Sequence, residues 1–174
     1  MRPFRIILGL GVDLILFGVL VPWGAIRAGR MFDRALPLSL HLNHPLFHIL
    51  GIALMVLGAA WLFWAWYLLV RRGRGYMTEL FGMEISPVTE HLVTGGPFSV
   101  HRHPVCVGYL LILAGIGLVI GSLGLTALAV PLLLALVYLY LHLFEEPALR
   151  RRFGHEHEAY SGRVPMFFPY NRNR

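Results

Sequence analysis

The residues able to do chemistry fall into three clusters, all in the C-terminal half of the 174-residue sequence. The first is Glu90-His91-Leu92-Val93-Thr94-Gly95-Gly96-Pro97-Phe98, followed by His101-Arg102-His103-Pro104. Gly-Gly-Pro cannot continue a helix and favours a turn with exposed backbone amides, where a ligand can approach the main chain. A lone Arg before an apolar block would read as a side chain snorkelling to a membrane surface. Joined to the Gly-Gly-Pro turn, the His-Arg-His-Pro run points to binding. The second cluster, Glu145-Glu146-Pro147, ends a long apolar run. Acids at the C-terminal end of a helix oppose its dipole, so a cationic ligand or Arg102 is expected to compensate them. The alternative is a solvated pair partnered by Arg150 or Arg151. The third cluster is Arg151-Arg152-Phe153-Gly154-His155-Glu156-His157-Glu158-Ala159-Tyr160, followed by Val164-Pro165-Met166-Phe167-Phe168-Pro169. It reads as a short amphipathic helix returning to the membrane face, closed by a Pro-bracketed aromatic segment. His155 and His157 are two apart and do not share a helix face, and no second ligand pair sits at zinc spacing, so no metal is expected.

Positioning these clusters falls to an unusually apolar chain. Hydrophobic residues make up 57% and charged residues 14%, against about 45–50% and about 25% in soluble domains. Disorder is excluded and a water-soluble globule is disfavoured. The formal charge is +6, carried by 15 basic residues that are all Arg. A basic balance can signal nucleic acid. Here the charge lies between apolar blocks, as in proteins that orient themselves in a membrane, so no nucleic-acid partner is expected. The single Cys, Cys106, cannot form an internal disulfide, and nothing implies an oxidising compartment.

Four apolar blocks stand out, over residues 4–26, 45–70, about 105–120 and about 123–144. A membrane-crossing helix needs about 20 mostly apolar residues; the third block is short. The first lacks an A-x-A-like cleavage site and reads as a retained helix. It carries Asp13, and an intramembrane acid is a functional candidate by default. Only Gly121-Ser122 separates blocks three and four, predicting a tight helical hairpin in which Gly115, Gly117, Gly121 and Gly124 allow close backbone approach. Trp61, Trp64, Trp66 and Tyr67 suit an interfacial aromatic belt. His41, His44 and His48 are expected to cap a helix or face headgroups. With four crossings, the N-terminus, the 71–104 loop and the tail share one side. That side collects twelve Arg against three on the other, which the positive-inside rule assigns to the cytoplasm. The two long polar segments flank the hairpin and can meet in space. The expected fold is therefore all-α: one membrane domain over 1–174, a bundle of about four transmembrane helices. Residues 1–72 supply two N-terminal helices. Residues 73–174 supply a core of cytoplasmic loop, C-terminal hairpin and tail.

These motifs, in this order, resemble the isoprenylcysteine carboxyl methyltransferase family and its relatives among the phospholipid methyltransferases. The resemblance rests on Leu92-Val93-Thr94-Gly95-Gly96-Pro97-Phe98, Arg102-His103-Pro104, Glu145-Glu146-Pro147-Ala148-Leu149, Phe153-Gly154, Tyr160 and Val164-Pro165. It covers the chain from Glu90 onward. It implies an integral membrane enzyme that transfers a methyl group from S-adenosyl-L-methionine, bound in a cytoplasmic pocket, to a lipid-like or small thiol, carboxylate or amine acceptor. By resemblance, Leu92, Val93 and Thr94 line the cofactor through the main chain and Phe98 packs on it. His103 hydrogen-bonds it, Pro104 fixes the turn, and Glu145 binds from the other side. Glu90, His91, Cys106 and Glu146 belong to the same cofactor set, and Arg102 and Glu145 are the catalytic candidates. Departures from the family pattern are Phe98 and Cys106 where Tyr is usual, His157 for Tyr, Met166 for Arg, and Leu141 where the prenyl enzymes carry Arg.

Methyl transfer from a sulfonium is an in-line displacement, so the protein mainly aligns the reactants, excludes water and manages charge. Arg102 could hold an anionic nucleophile, and His101 or His103 could take a proton from a neutral one. Two other readings compete. An NADPH-dependent membrane reductase of the sterol-reductase type would need more apolar helices. A non-enzymatic membrane assembly or transport protein would need more polar residues inside the bundle. The expected setting is a bacterial inner membrane, with both termini cytoplasmic.

Overall fold

Each apolar block forms a helix, although the ends differ from those expected. The computed structural model describes residues 2–35, 44–75, 79–80, 83–84 and 89–167. His41, Phe168, Pro169, Arg172 and Arg174 lie outside the described residues. Helix α1 (residues 2–35) contains a wide π-helical turn, Leu16–Leu20. It continues through Arg27, Arg30, Asp33 and Arg34, which the apolar pattern had placed in a connecting loop. Arg and Met are good helix formers and no Pro intervenes before residue 37. Arg27 also stacks over the Trp23 ring one turn earlier, at 5.2 Å. Helix α2 (Pro45–Gly73) starts on proline, which needs no donor at that position. The Leu46 amide donates to His44 Nδ1 at 3.2 Å, the expected cap.

Helix α3 (Pro104–Val119) has 16 residues, about 24 Å at 1.5 Å per residue and short of a hydrocarbon core about 30 Å thick. Helix α4 (Gly124–Phe153) has 30 residues, and α5 (His155–Ser161) follows it. A two-residue antiparallel ribbon pairs β1 (Glu79–Leu80) with β2 (Met83–Glu84). The architecture is thus all-helical apart from this ribbon. Three helices, spanning Gly9–Ala35, Pro45–Gly73 and Gly124–Phe153, are long and apolar enough to cross a membrane, with α3 as a shorter apolar helix. Large apolar side chains stay exposed along them, among them Ile49, Phe63 and Leu136. Water would penalise such a surface; lipid would not, and the chain is a membrane protein.

Two compact units form. The first comprises Met1–Gly11, Trp61–Val107 and Leu139–Arg174. Its core packs Ala65, Leu68, Leu69, Val93 and Phe98. The second comprises Val12–Ala60 and Gly108–Tyr138, with Leu113, Leu125, Ala129 and Val130 at its centre.

In the second unit the glycines serve helix–helix approach more than the hairpin. A Cβ on Gly115 would sit 2.5 Å from the Gly51 carbonyl oxygen of α2, and a Cβ on Gly124 would meet Gly29 of α1. Only Gly117 faces its hairpin partner, at Thr126. Asp33, counted in the sequence merely as loop charge, caps α4 from a neighbouring helix. Its Oδ1 accepts the Gly124 amide and its Oδ2 accepts the Ser122 hydroxyl, both at 2.6 Å. A carboxylate there satisfies an orphan first-turn donor and complements the helix dipole. Asp33→Ala leaves both donors unpaired and is expected to cost about 1–3 kcal/mol, seen as a lower unfolding temperature of the detergent-purified protein. Asp33→Asn is expected to lose less.

Candidate functional site

The functional segments of the first unit are joined by main-chain hydrogen bonds. Gly96 has φ +62, a conformation that L side chains rarely adopt, and starts the short 3₁₀ turn Gly96–Ser99. This turn buries Pro97 and Phe98, and the Ser99 hydroxyl donates back to the Gly96 carbonyl at 2.7 Å. The tail then closes over the turn. Tyr160 Oη donates to the Phe98 carbonyl at 2.6 Å, and the Arg102 amide donates to the Pro165 carbonyl at 3.0 Å.

Glu145 and Glu146 are not at a helix terminus. Helix α4 widens into a π-helical turn over Leu141–Glu145 and then runs on to Phe153. Proline lacks an N–H and its ring crowds the carbonyl four residues back; the wide turn takes up both effects of Pro147, so the helix survives. The expected opposition between these acids and a helix end is therefore corrected: the orphan carbonyls lie two turns farther on. What compensates the acids is a cluster of charges. Arg102 Nη1 donates to Glu146 Oε2. His103 Nε2 lies 2.8 Å from Glu146 Oε1, and His103 Nδ1 lies 3.4 Å from Glu145 Oε1.

His103 is 2% exposed. Burial alone would lower its pKa, but the carboxylates of Glu145 and Glu146 outweigh it and raise the pKa to about 9. His103 is thus an imidazolium at neutral pH, a hydrogen-bond donor rather than a base. His101 goes the other way. Burial lowers its pKa against a hydrogen bond with the Phe167 main chain. Its ring meets Trp61 edge-on, with centroids 6.0 Å apart.

One cavity in this unit brings together His91, Leu92, Val93, Phe98, Arg102, His103, Pro104 and Glu145. The space inside it and at its open mouth is about 720 Å³. Glu146 stands behind the lining, holding Arg102 and His103. Glu90 and Thr94 are exposed outside it, and Cys106 lies one turn up α3 without reaching the lining. Residues not singled out beforehand complete the wall: Leu69, Thr89, Leu149, Arg152, Phe153, His157 and Tyr160. Helical spacing could have revealed several of them, because Leu149, Arg152 and Phe153 continue the face of α4 that carries Glu145. Gly154, with φ +51, then reverses the chain and α5 returns His157 and Tyr160 to the same cavity. His155 is exposed while His157 is buried.

Comparison with known proteins agrees with this organisation. The family model for phospholipid methyltransferases matches residues 46–156, which include both acids and the Gly-Gly-Pro and Arg-His-Pro motifs. The chain belongs to that family. It is also similar to the cobalt-zinc-cadmium resistance protein CzcN of Cupriavidus metallidurans, at 41% identity over 45% of this chain and 35% of the relative. A second relative is the nickel-cobalt-cadmium resistance protein NccN of Alcaligenes xylosoxydans xylosoxydans, at 38% identity over 45% and 36%. The matched stretch is about a third of each relative's length. No solved structure matches the chain.

The His103 clamp makes stability depend on pH with a definite sign. The folded state binds this proton more tightly than the unfolded chain, so the contribution is complete below about 6.5 and lost as pH rises toward 9. The thermal midpoint of the purified protein is expected to fall across that window. His103→Gln is expected to remove the slope, leaving a lower and flatter profile.

Proposed function

We propose that this family member is an S-adenosylmethionine-dependent methyltransferase, and that the cavity around Glu145 receives the cofactor. The observation that carries the reading is the division of labour between the two acids. Glu146 is committed to Arg102 and His103, whereas Glu145 lines the cavity with its His103 contact at 3.4 Å, too long for a strong hydrogen bond. A cavity-facing carboxylate suits a positively charged ligand. Arg102 and Arg152 on the same wall suit the carboxylate of an amino-acid moiety. Phe98, Leu92 and Val93 supply apolar surface, and His157 Nε2 is a buried polar atom with no hydrogen-bond partner among the described residues. The donor set therefore fits a zwitterionic, partly apolar ligand that carries extra positive charge.

When bound, such a cofactor supplies a methyl group on a sulfonium. The chain's task is to hold the acceptor in line, exclude water and stabilise charge. His103 fixes the angle between Glu145 and the Arg102 loop, so the carboxylate is held ready before the ligand arrives. Exposed apolar flanks on the long helices suit an acceptor that is lipid-like or small and apolar and that arrives through the membrane. The Arg distribution supports a cytoplasmic cavity and cytoplasmic termini in a bacterial inner membrane.

Thermal-shift and calorimetric titration of the detergent-purified chain test this reading. S-adenosylmethionine and S-adenosylhomocysteine are expected to stabilise the protein and NADPH is not. Glu145→Gln is expected to weaken binding at least about tenfold, about 1.4 kcal/mol, with the fold intact. Stabilisation by NADPH alone, or by none of the three, would overturn the assignment.

A further inference from the structure

Methylation of an uncharged acceptor leaves a proton to be removed, and three imidazoles lie near the cavity. His103 already carries a proton between its two carboxylates. His101 does not line the cavity; it is turned to Trp61 and the Phe167 main chain. His157 lines the cavity, is 4% exposed, and its Nε2 has no hydrogen-bond partner among the described residues. The Tyr160 hydroxyl, the other protic group on α5 at this wall, is spent on the Phe98 carbonyl.

We propose that His157 is a catalytic residue that takes the proton of a protic acceptor (a thiol, amine or hydroxyl) during methyl transfer in this cavity. The inference rests on the methyltransferase reading above and deepens it. In the step, a lone pair of the acceptor atom forms the new bond to the methyl carbon. The electron pair of the breaking carbon–sulfur bond stays on sulfur, and the acceptor's proton passes to the His157 Nε2 lone pair. Charge balances: the sulfonium becomes a neutral thioether and the imidazole becomes an imidazolium.

The surroundings of His157 suit that sequence of states. Glu146 Oε2 is 3.7 Å from Nε2, too far for a hydrogen bond in the resting state but near enough to stabilise the imidazolium once formed. Before reaction, burial is the largest influence keeping the ring neutral; Arg102, His103 and Arg150 add to it and Glu146 opposes it. A neutral buried imidazole is the form a general base requires. Position is fixed from both ends of the turn. Gly154 makes the reversal at φ +51, and Arg150 Nε and Nη2 donate to Glu158 Oε1 at 2.9 and 2.6 Å, one residue past His157. The resemblance expected Tyr at position 157; a phenol has a much higher pKa than an imidazole, so this chain differs from that pattern at the atom in question.

The test uses the full-length chain in detergent, with ring-¹⁵N-labelled histidine and the His157→Asn variant. Nitrogen chemical shifts at pH 7 are expected to show His157 Nε2 unprotonated, assigned by its loss in the variant. S-adenosylhomocysteine is expected to stabilise wild type and variant alike, with affinities within about twofold. Incubation of a total membrane extract with methyl-labelled S-adenosylmethionine is expected to give base-stable product, falling about 100-fold in the variant together with loss of the acidic limb of the pH profile. A protonated Nε2 at neutral pH, a variant as active as wild type, or product that alkali releases as methanol (a methyl ester, whose carboxylate acceptor has no proton to lose) would each overturn the proposal while leaving the methyltransferase reading intact. Failure of S-adenosylhomocysteine to stabilise either protein would overturn that reading itself.

Discussion

Four charges held away from water govern the geometry of the functional unit. Arg102 and His103 from the loop before α3 meet Glu145 and Glu146 from α4, with Glu146 engaging both cations. Any one of these groups buried alone would carry a desolvation penalty of several kcal/mol. Together they form a locally neutral set. The pairing has little reason to add net stability, since buried ion pairs roughly break even against apolar replacements. Its contribution is positional: a segment that starts with Gly-Gly-Pro and a helix that begins some forty residues later are locked in one register.

Local irregularities of the backbone make that register possible. A regular α4 would have clashed at Pro147; the wide turn over Leu141–Glu145 absorbs the proline and carries the acids on a continuous helix. Such turns recur at functional sites, where they re-aim side chains at small cost. The left-handed Gly154 then folds the tail back, so that Tyr160 and Pro165 bond to the Phe98 and Arg102 main chains. The cavity wall is therefore assembled from the two ends of the same segment pair, and neither the loop nor the tail holds its shape by itself.

Much of this was legible in the sequence, and what was not has identifiable causes. Apolar blocks announce helices because lipid demands a long uncharged surface. Their ends do not, because a helix can run past the apolar zone on Arg and Met, as α1 does to Ala35. Asp33 was hidden for that reason: only the three-dimensional neighbour Gly124 reveals it as a cap. The pairing of Arg102 with an acid followed from charge alone. Which acid takes it did not, since adjacent helical residues point about 100° apart and the phase of α4 depends on the wide turn. Arg152, Phe153 and His157 were read as parts of an amphipathic tail. Their place in the cavity required knowing that α4 continues through Pro147 and breaks at Gly154.

The side-by-side placement of the two acids constrains the apolar part of α4 in an unexpected way. Outward positions such as Leu132, Leu136 and Leu139 touch only surroundings that any aliphatic group satisfies, so Ile, Val, Met and Phe are interchangeable there to a good approximation. The number of residues is not interchangeable. One inserted or deleted anywhere between the Ser122 turn and Leu141 would rotate the helix end by about 100°, swinging one acid off the cations and the other off the cavity. The span can therefore drift widely in composition while its length stays locked, a molecular ruler written in residues that individually matter little.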